Sequence, residues 1–193
     1  MRGGWAAVVA VIVVILLIPG CLWMGSYNSL VSKDEQVKTA WAQVETVLQR
    51  RYDLIPNLVN TVKGYVQHEK GVLEEVTRLR SQWGEAKSPA EKIQASAALE
   101  GALGRLMVVV ENYPTLRAYQ NFVALQDELA GTENRISVER RRYNEAVLAY
   151  NKAVRTFPSN LVAGLHGFVR NDAYFQAASQ AKEAPKVDFG APR

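Results

Sequence analysis

The chain has 193 residues, 48% of them apolar, and a formal net charge of +4. That is enough for one domain of ordinary size with a sizeable core, and too small a basic surplus to argue for nucleic acid. The single cysteine, Cys21, excludes an intramolecular disulfide and any zinc site built on several cysteines.

From Trp5 to Met24 runs an uncharged block of twenty residues, the length a helix needs to cross a hydrocarbon core of about 30 Å. Trp5 and Trp23 stand near its ends, where indole rings favour the headgroup zone. Ile12 and Leu17 lie inside it, and Pro19 and Gly20 fall in its last third. The block predicts an uncleaved transmembrane anchor over residues 1–26. Two rivals remain. A cleaved secretory signal would use Arg2 as its charged start, but no small-x-small site closes the apolar run. A lipoprotein signal would end in Ile18-Pro19-Gly20-Cys21, with Ile where such motifs prefer Leu and Pro where they prefer a small residue; it makes Cys21 a candidate lipidation site. Orientation is weakly coded by Arg2 on one side and Lys33, Lys38, Arg50 and Arg51 on the other. It leans toward the following domain lying outside the cytoplasm.

Beyond the block, apolar or aromatic residues recur at Leu30, Val37, Trp41, Val44, Leu48, Ile55, Leu58, Val62, Tyr65, Val72, Val76, Leu79 and Trp83. The spacing is that of a heptad seam and predicts one helix from Leu30 to Trp83, roughly 80 Å long at 1.5 Å per residue. Pro56 predicts a bend over Tyr52 to Pro56 in one helix, the alternative being a new helix capped by Asp53 with Pro56 in its first turn. Ser88-Pro89 with Glu91 three residues on is a helix start. The second helix it opens runs to Val110, with Ile93, Ala97, Leu103, Leu106 and Val110 inward and many small residues. After a break at residues 112–115, a third helix carries Leu116, Tyr119, Phe122, Leu129, Ile136, Tyr143, Val147, Tyr150 and Val154. Phe157-Pro158 ends it. A short apolar helix, Leu161 to Val169, either closes the bundle, the preferred reading, or lies in a membrane interface. A last helix spans residues 173–184, and residues 185–193 form a tail. The fold expected is all-α: an N-terminal transmembrane helix, then an elongated up-and-down four-helix bundle over residues 27–184.

No convergent chemistry is visible. Gly101 and Gly104 lack the third glycine and the strand setting of a phosphate loop. His68-Glu69 lacks a second histidine four residues on. Asp34-Glu35 and Glu74-Glu75 are adjacent on helices, so they diverge by about 100° and cannot share a proton. The run Arg140-Arg141-Arg142 either pairs with Glu133, Glu139 and Glu145 or contacts lipid phosphates or an acidic partner. The chain is therefore expected to be no enzyme, with no metal and no cofactor.

The blocks Arg50-Arg51-Tyr52-Asp53-Leu54-Ile55-Pro56-Asn57-Leu58-Val59, Ala40-Trp41-Ala42-Gln43-Val44-Glu45, Glu111-Asn112-Tyr113-Pro114, Tyr143-Asn144-x-Ala146-Val147 and Phe157-Pro158-Ser159-Asn160-Leu161 resemble the LemA family, in order, from about Tyr27 to Phe189. The resemblance implies a single anchor and a helical bundle, with no known enzymatic activity or cofactor. The family includes proteins tied to magnetosome membranes, which suggests membrane organisation. Arg50, Arg51, Asp53, Pro56 and Asn57 either support the bend or form a surface for self-association or a partner. A seam as long as this one exceeds what the second helix can cover, about 30 Å, and identical copies are the simplest candidates for the remainder. The expected function is a homo-oligomeric scaffold in a bacterial inner membrane. The alternative is a membrane-tethered adaptor for another membrane protein, such as a protease or sensor.

Overall fold

The structure, a computed structural model, describes the backbone of residues 2–66 and 69–176 and, from Leu17 onward, their side chains. It is all-helical, with no strand among the described residues. The helices are α1 (Arg2–Lys63), α2 (Lys70–Glu85), α3 (Pro89–Val110), α4 (Pro114–Arg117), α5 (Gln120–Arg155) and α6 (Ser159–His166). They fall into two compact units. One holds α1 as far as Leu54, α5 from Gln126, α6 and the segment to Asp172; the other holds Ile55–Leu125 and the residues from Ala173.

In the first unit α1 and α5 run antiparallel. Arg50 meets Glu128, Arg51 meets Glu133, and Trp41 meets Tyr143 edge-on at 5.4 Å. From Trp41 to the Arg50-Arg51 pair on α1, the partners fall from Tyr143 to Glu133 and Glu128 on α5. Leu30, Val37 and Val44 on α1, and Leu129, Ile136, Tyr143 and Tyr150 on α5, are buried at strict seven-residue intervals. That interval keeps a stripe facing one neighbour along a slightly underwound pair of helices. Each fully buried Leu or Ile adds roughly 2 kcal/mol by leaving water. Tyr52, which the seam omitted, is also buried.

In the second unit α2 and α3 form a hairpin. Lys92 lies over the Trp83 ring at 5.0 Å near the turn, and Arg105 Nη2 donates to Glu75 Oε1 at 2.8 Å further along. The turn is set by a capping box: Ser88 Oγ accepts from Glu91 N at 3.2 Å, and Glu91 Oε2 accepts from Ser88 N at 3.1 Å. These contacts satisfy backbone donors that a helix start leaves open. The same backbone hydrogen bonds, led by that from Lys87, hold the Glu91 carboxyl below its ordinary range.

Five expectations change. The long helix does not reach Trp83: it passes through Pro56 and ends at Lys63, where Tyr65 N and Val66 N both donate to Val62 O. The seam is not left open: Val44, Leu48, Ile55, Leu58, Val62, Val76 and Leu79 are all buried within the chain. The third helix begins as α4 and restarts at Gln120. On α3, Leu99 and Ser96 face inward and Ala97 does not. Residues 173–176, the start of the expected last helix, are not helical, and the rest of it and the tail lie outside the described residues.

Candidate functional site

The predicted anchor block is the first part of α1, with no helix break between it and Leu30. The side chains of Trp5 and Ile12 lie outside those described. Leu17, Ile18, Leu22 and Met24 are all more than half exposed, and Cys21 is exposed with a free thiol. Among the described residues α3 is also long and apolar enough to cross a bilayer. Its capping box, its ion pair to α2 and its buried Leu99, Leu103 and Leu106 tie one face of it into the second unit.

At the end of the first unit where the block stops, α6 turns back onto α1. Val162 and Ala163 are buried against Leu30, with Phe168 packed beside them. The His166 ring lies 4.9 Å from Tyr27 and 5.8 Å from Trp23, and Tyr27 meets Phe168 edge-on at 6.0 Å. Gly167 adopts φ +75°, and Phe168 N donates to Ala163 O at 3.0 Å, the left-handed helix stop that glycine permits without strain. The segment beyond is clamped to α5. Tyr150 Oη donates to Val169 O at 2.9 Å; Asn151 donates to Asn171 O at 2.7 Å and accepts from Asn171 N at 2.9 Å. Burial pushes the Tyr150 hydroxyl above its ordinary pKa, and the Asp34 carboxylate adds to this. The sequence reading missed Asn151. The only signal for it was a polar residue beside the heptad position Tyr150.

The signature residues do not form one cluster. Arg50 Nε and Nη2 reach Glu128 Oε1 at 3.0 and 2.6 Å, both groups largely exposed. Arg51 pairs with Glu133; its side chain is only 12% exposed, and its Nε is buried with no hydrogen-bond partner. Asp53 accepts from Gln49 Nε2 at 2.8 Å. Pro56 is half-buried and Asn57 exposed.

The arginine run is divided. Arg142 Nη1 donates to Glu139 Oε1 at 2.7 Å, Arg140 is half-buried, and Arg141 is exposed. Glu139 and Arg142 border a shallow groove of about 530 Å³ with Glu35, Gln36 and Gln43 of α1. Lys38 on the same helix is held in its charged form, its pKa raised mainly by the hydrogen bonds it donates to Asp34 and Glu35.

In the second unit a groove of about 950 Å³ separates the end of α1 from α2, with Val59, Val66 and Leu73 among its apolar walls and Lys63, Lys70 and Arg78 at its edge. His68 lies outside the described residues. Among those described, no three His, Cys, Asp or Glu side chains gather as metal ligands do.

The family model of the LemA family matches residues 40–189. Magnetosome protein MamQ 2 of Paramagnetospirillum magneticum is 28% identical over 176 residues, covering 78% of this chain and 64% of that protein. Magnetosome protein MamQ of Magnetospirillum gryphiswaldense is 27% identical over 176 residues, covering 78% and 65%. Protein LemA of Metamycoplasma hominis is 24% identical over 168 residues, covering 86% and 74%. The chain thus spans a little under two thirds of the magnetosome proteins it matches.

Proposed function

Since the chain belongs to the LemA family, we propose that it is a non-enzymatic scaffold, anchored by residues 1–26 in a bacterial cytoplasmic membrane. Its helical units lie on the extracytoplasmic side and associate with copies of themselves to organise the bilayer. One observation carries this reading. Helix α1 runs without a break from the apolar block into the first unit, and the large aliphatic side chains described at the block's end are mostly exposed. Leu17, Ile18, Leu22 and Met24 are each more than half exposed among the described residues, and hydrocarbon is the surrounding they fit. Trp23 and Tyr27 then stand at the depth where aromatic rings favour headgroups. The magnetosome relatives support a role at a membrane.

Self-association now rests on a different surface from the seam, which the chain covers itself. Ala97, Gly101, Gly104 and Val108 form an exposed stripe along α3 at helical spacing. The absence of side-chain bulk there permits close approach of a second helix. The groove lined by Lys63, Lys70 and Arg78 against a single carboxylate, Glu74, favours the alternative, a tethered adaptor that takes an acidic partner.

Cross-linking and sizing of the full chain in mild detergent tests both. The scaffold predicts assemblies of several copies that persist on dilution. A monomer at every concentration, with a different protein recovered in stoichiometric amount from membranes, overturns it in favour of the adaptor.

A further inference from the structure

We propose that α6 and its flanks are a second membrane contact, lying in the headgroup zone of the bilayer that holds the N-terminal block. The inference rests on the anchoring proposed above and adds to it a surface that the anchor does not require.

The first argument is position. The His166 ring packs on both Trp23 and Tyr27, so α6 sits level with the end of the apolar block, within the same unit. Any bilayer that takes up residues 5–24 brings its surface to this height.

The second is the division of faces. Val162 and Ala163 point inward and are fully buried. The apolar residues that point away are conspicuous: Leu161 is 54% exposed, and Leu165, Phe157 and Val169 are each 74% exposed. Closing the end of the unit accounts for the inward residues and leaves these four unexplained. They are large, apolar and close together, the pattern of an element buried a few ångströms below a headgroup layer.

The third is charge. From Lys152 to Asn171 there is no acidic residue, and α1 has none between Arg2 and Lys33. Along these two stretches the charged side chains are cations, Arg2 and Lys33 on α1 and Lys152, Arg155 and Arg170 around α6; the first carboxylates beyond them are Asp34 and Asp172, the latter paired with Arg170 at 2.6 Å. Anionic headgroups attract such a group of cations near the surface. A protein partner would be expected to meet a more even mixture of charges than this largely cationic stretch offers.

The fourth is rigidity. The Gly167 stop, the Tyr150 hydrogen bond and the Asn151–Asn171 pair fix the segment in place. The exposed residues are thus presented on a fixed platform, with little ordering entropy to lose on contact.

The test places single cysteines in the full chain with Cys21→Ser as background: Leu17→Cys inside the block, Leu165→Cys on α6, and Val138→Cys on α5, at the level of the far half of α1. Each carries an environment-sensitive fluorophore in vesicles of phosphatidylcholine and phosphatidylglycerol doped with a nitroxide-labelled lipid. A shallow nitroxide should quench the label at residue 165 at least about twofold more than that at residue 138, and a deep nitroxide should quench residue 17 best. Quenching at residue 17 with residue 165 no different from residue 138 overturns the interfacial contact and leaves the anchor standing. No quenching at residue 17 overturns the anchor, and the contact with it.

Discussion

Removing the Glu133 carboxylate with Glu133→Ala should destabilise the first unit by about 2 kcal/mol, roughly thirtyfold in its folded-to-unfolded ratio. The size follows from burial. The Arg51 side chain is 12% exposed and its Nε has no other acceptor, so losing the carboxylate strands a nearly buried cation. A fully buried cation left alone costs about 3–5 kcal/mol. Glu133 itself is 37% exposed, so water already screens part of the interaction and the cost is cut to about half. The neighbouring pair is the internal control. Arg50 and Glu128 are 55% and 41% exposed, and Glu128→Ala should cost only about 0.5 kcal/mol. Replacing both partners of the buried pair, Arg51→Met with Glu133→Leu, should come within about 1 kcal/mol of the parent chain, because no charge is then stranded. The measurement is urea unfolding of the full chain in mild detergent, followed by far-ultraviolet circular dichroism. Equal losses for Glu128→Ala and Glu133→Ala, or a double variant as unstable as the worse single one, would refute this account of the two arginines.

Four further outcomes are expected. Ile136→Ala, at a fully buried heptad position of α5, should cost about 3 kcal/mol in the same unfolding experiment. Ser88→Ala should cost about 1 kcal/mol through loss of the α3 cap. The Glu91 half of that cap has a lowered pKa, so its stabilisation is full above pH 4.5 and fades as pH falls through the folded-state value; the difference between parent and Glu91→Gln should shrink in acid. Gly167→Ala meets no neighbouring atom but must hold φ +75°, and should cost about 1 kcal/mol. A melt unchanged by Gly167→Ala would show that the α6 stop is not held as described.

How much of this was legible in the sequence differs by element. Ser88, Pro89 and Glu91 announced their helix start because a capping box is local chemistry, complete within four residues. The heptad from Leu129 to Tyr150 was equally plain. The break after Lys63 was not. Val62, Val66, Leu73 and Val76 are all buried on either side of it, and periodicity reports that residues face a core, not that one helix carries them there. Gly64 and Gly71 were the available signal. The restart at Gln120 was hidden in the same way, between buried Leu116 and Phe122. Arg50 and Arg51 were picked out as a unit, but whether each was free or paired depended on Glu128 and Glu133, about eighty residues away in sequence. His166 had no partner in sequence. Its neighbours Tyr27 and Trp23 come from the far end of the chain and become visible only once α6 folds back.

The unbroken course of α1 has a mechanical consequence. From Gly25 to Leu54 it extends about 45 Å at 1.5 Å per residue, with no joint between this arm and the block that precedes it. With the block seated in a bilayer, a change of tilt cannot be absorbed at the surface and must travel along the arm. A swing of about 10°, well within the spread of tilts that bilayers of different thickness impose, displaces Leu54 sideways by about 8 Å. The helix is then a lever that converts membrane thickness into movement far from the membrane.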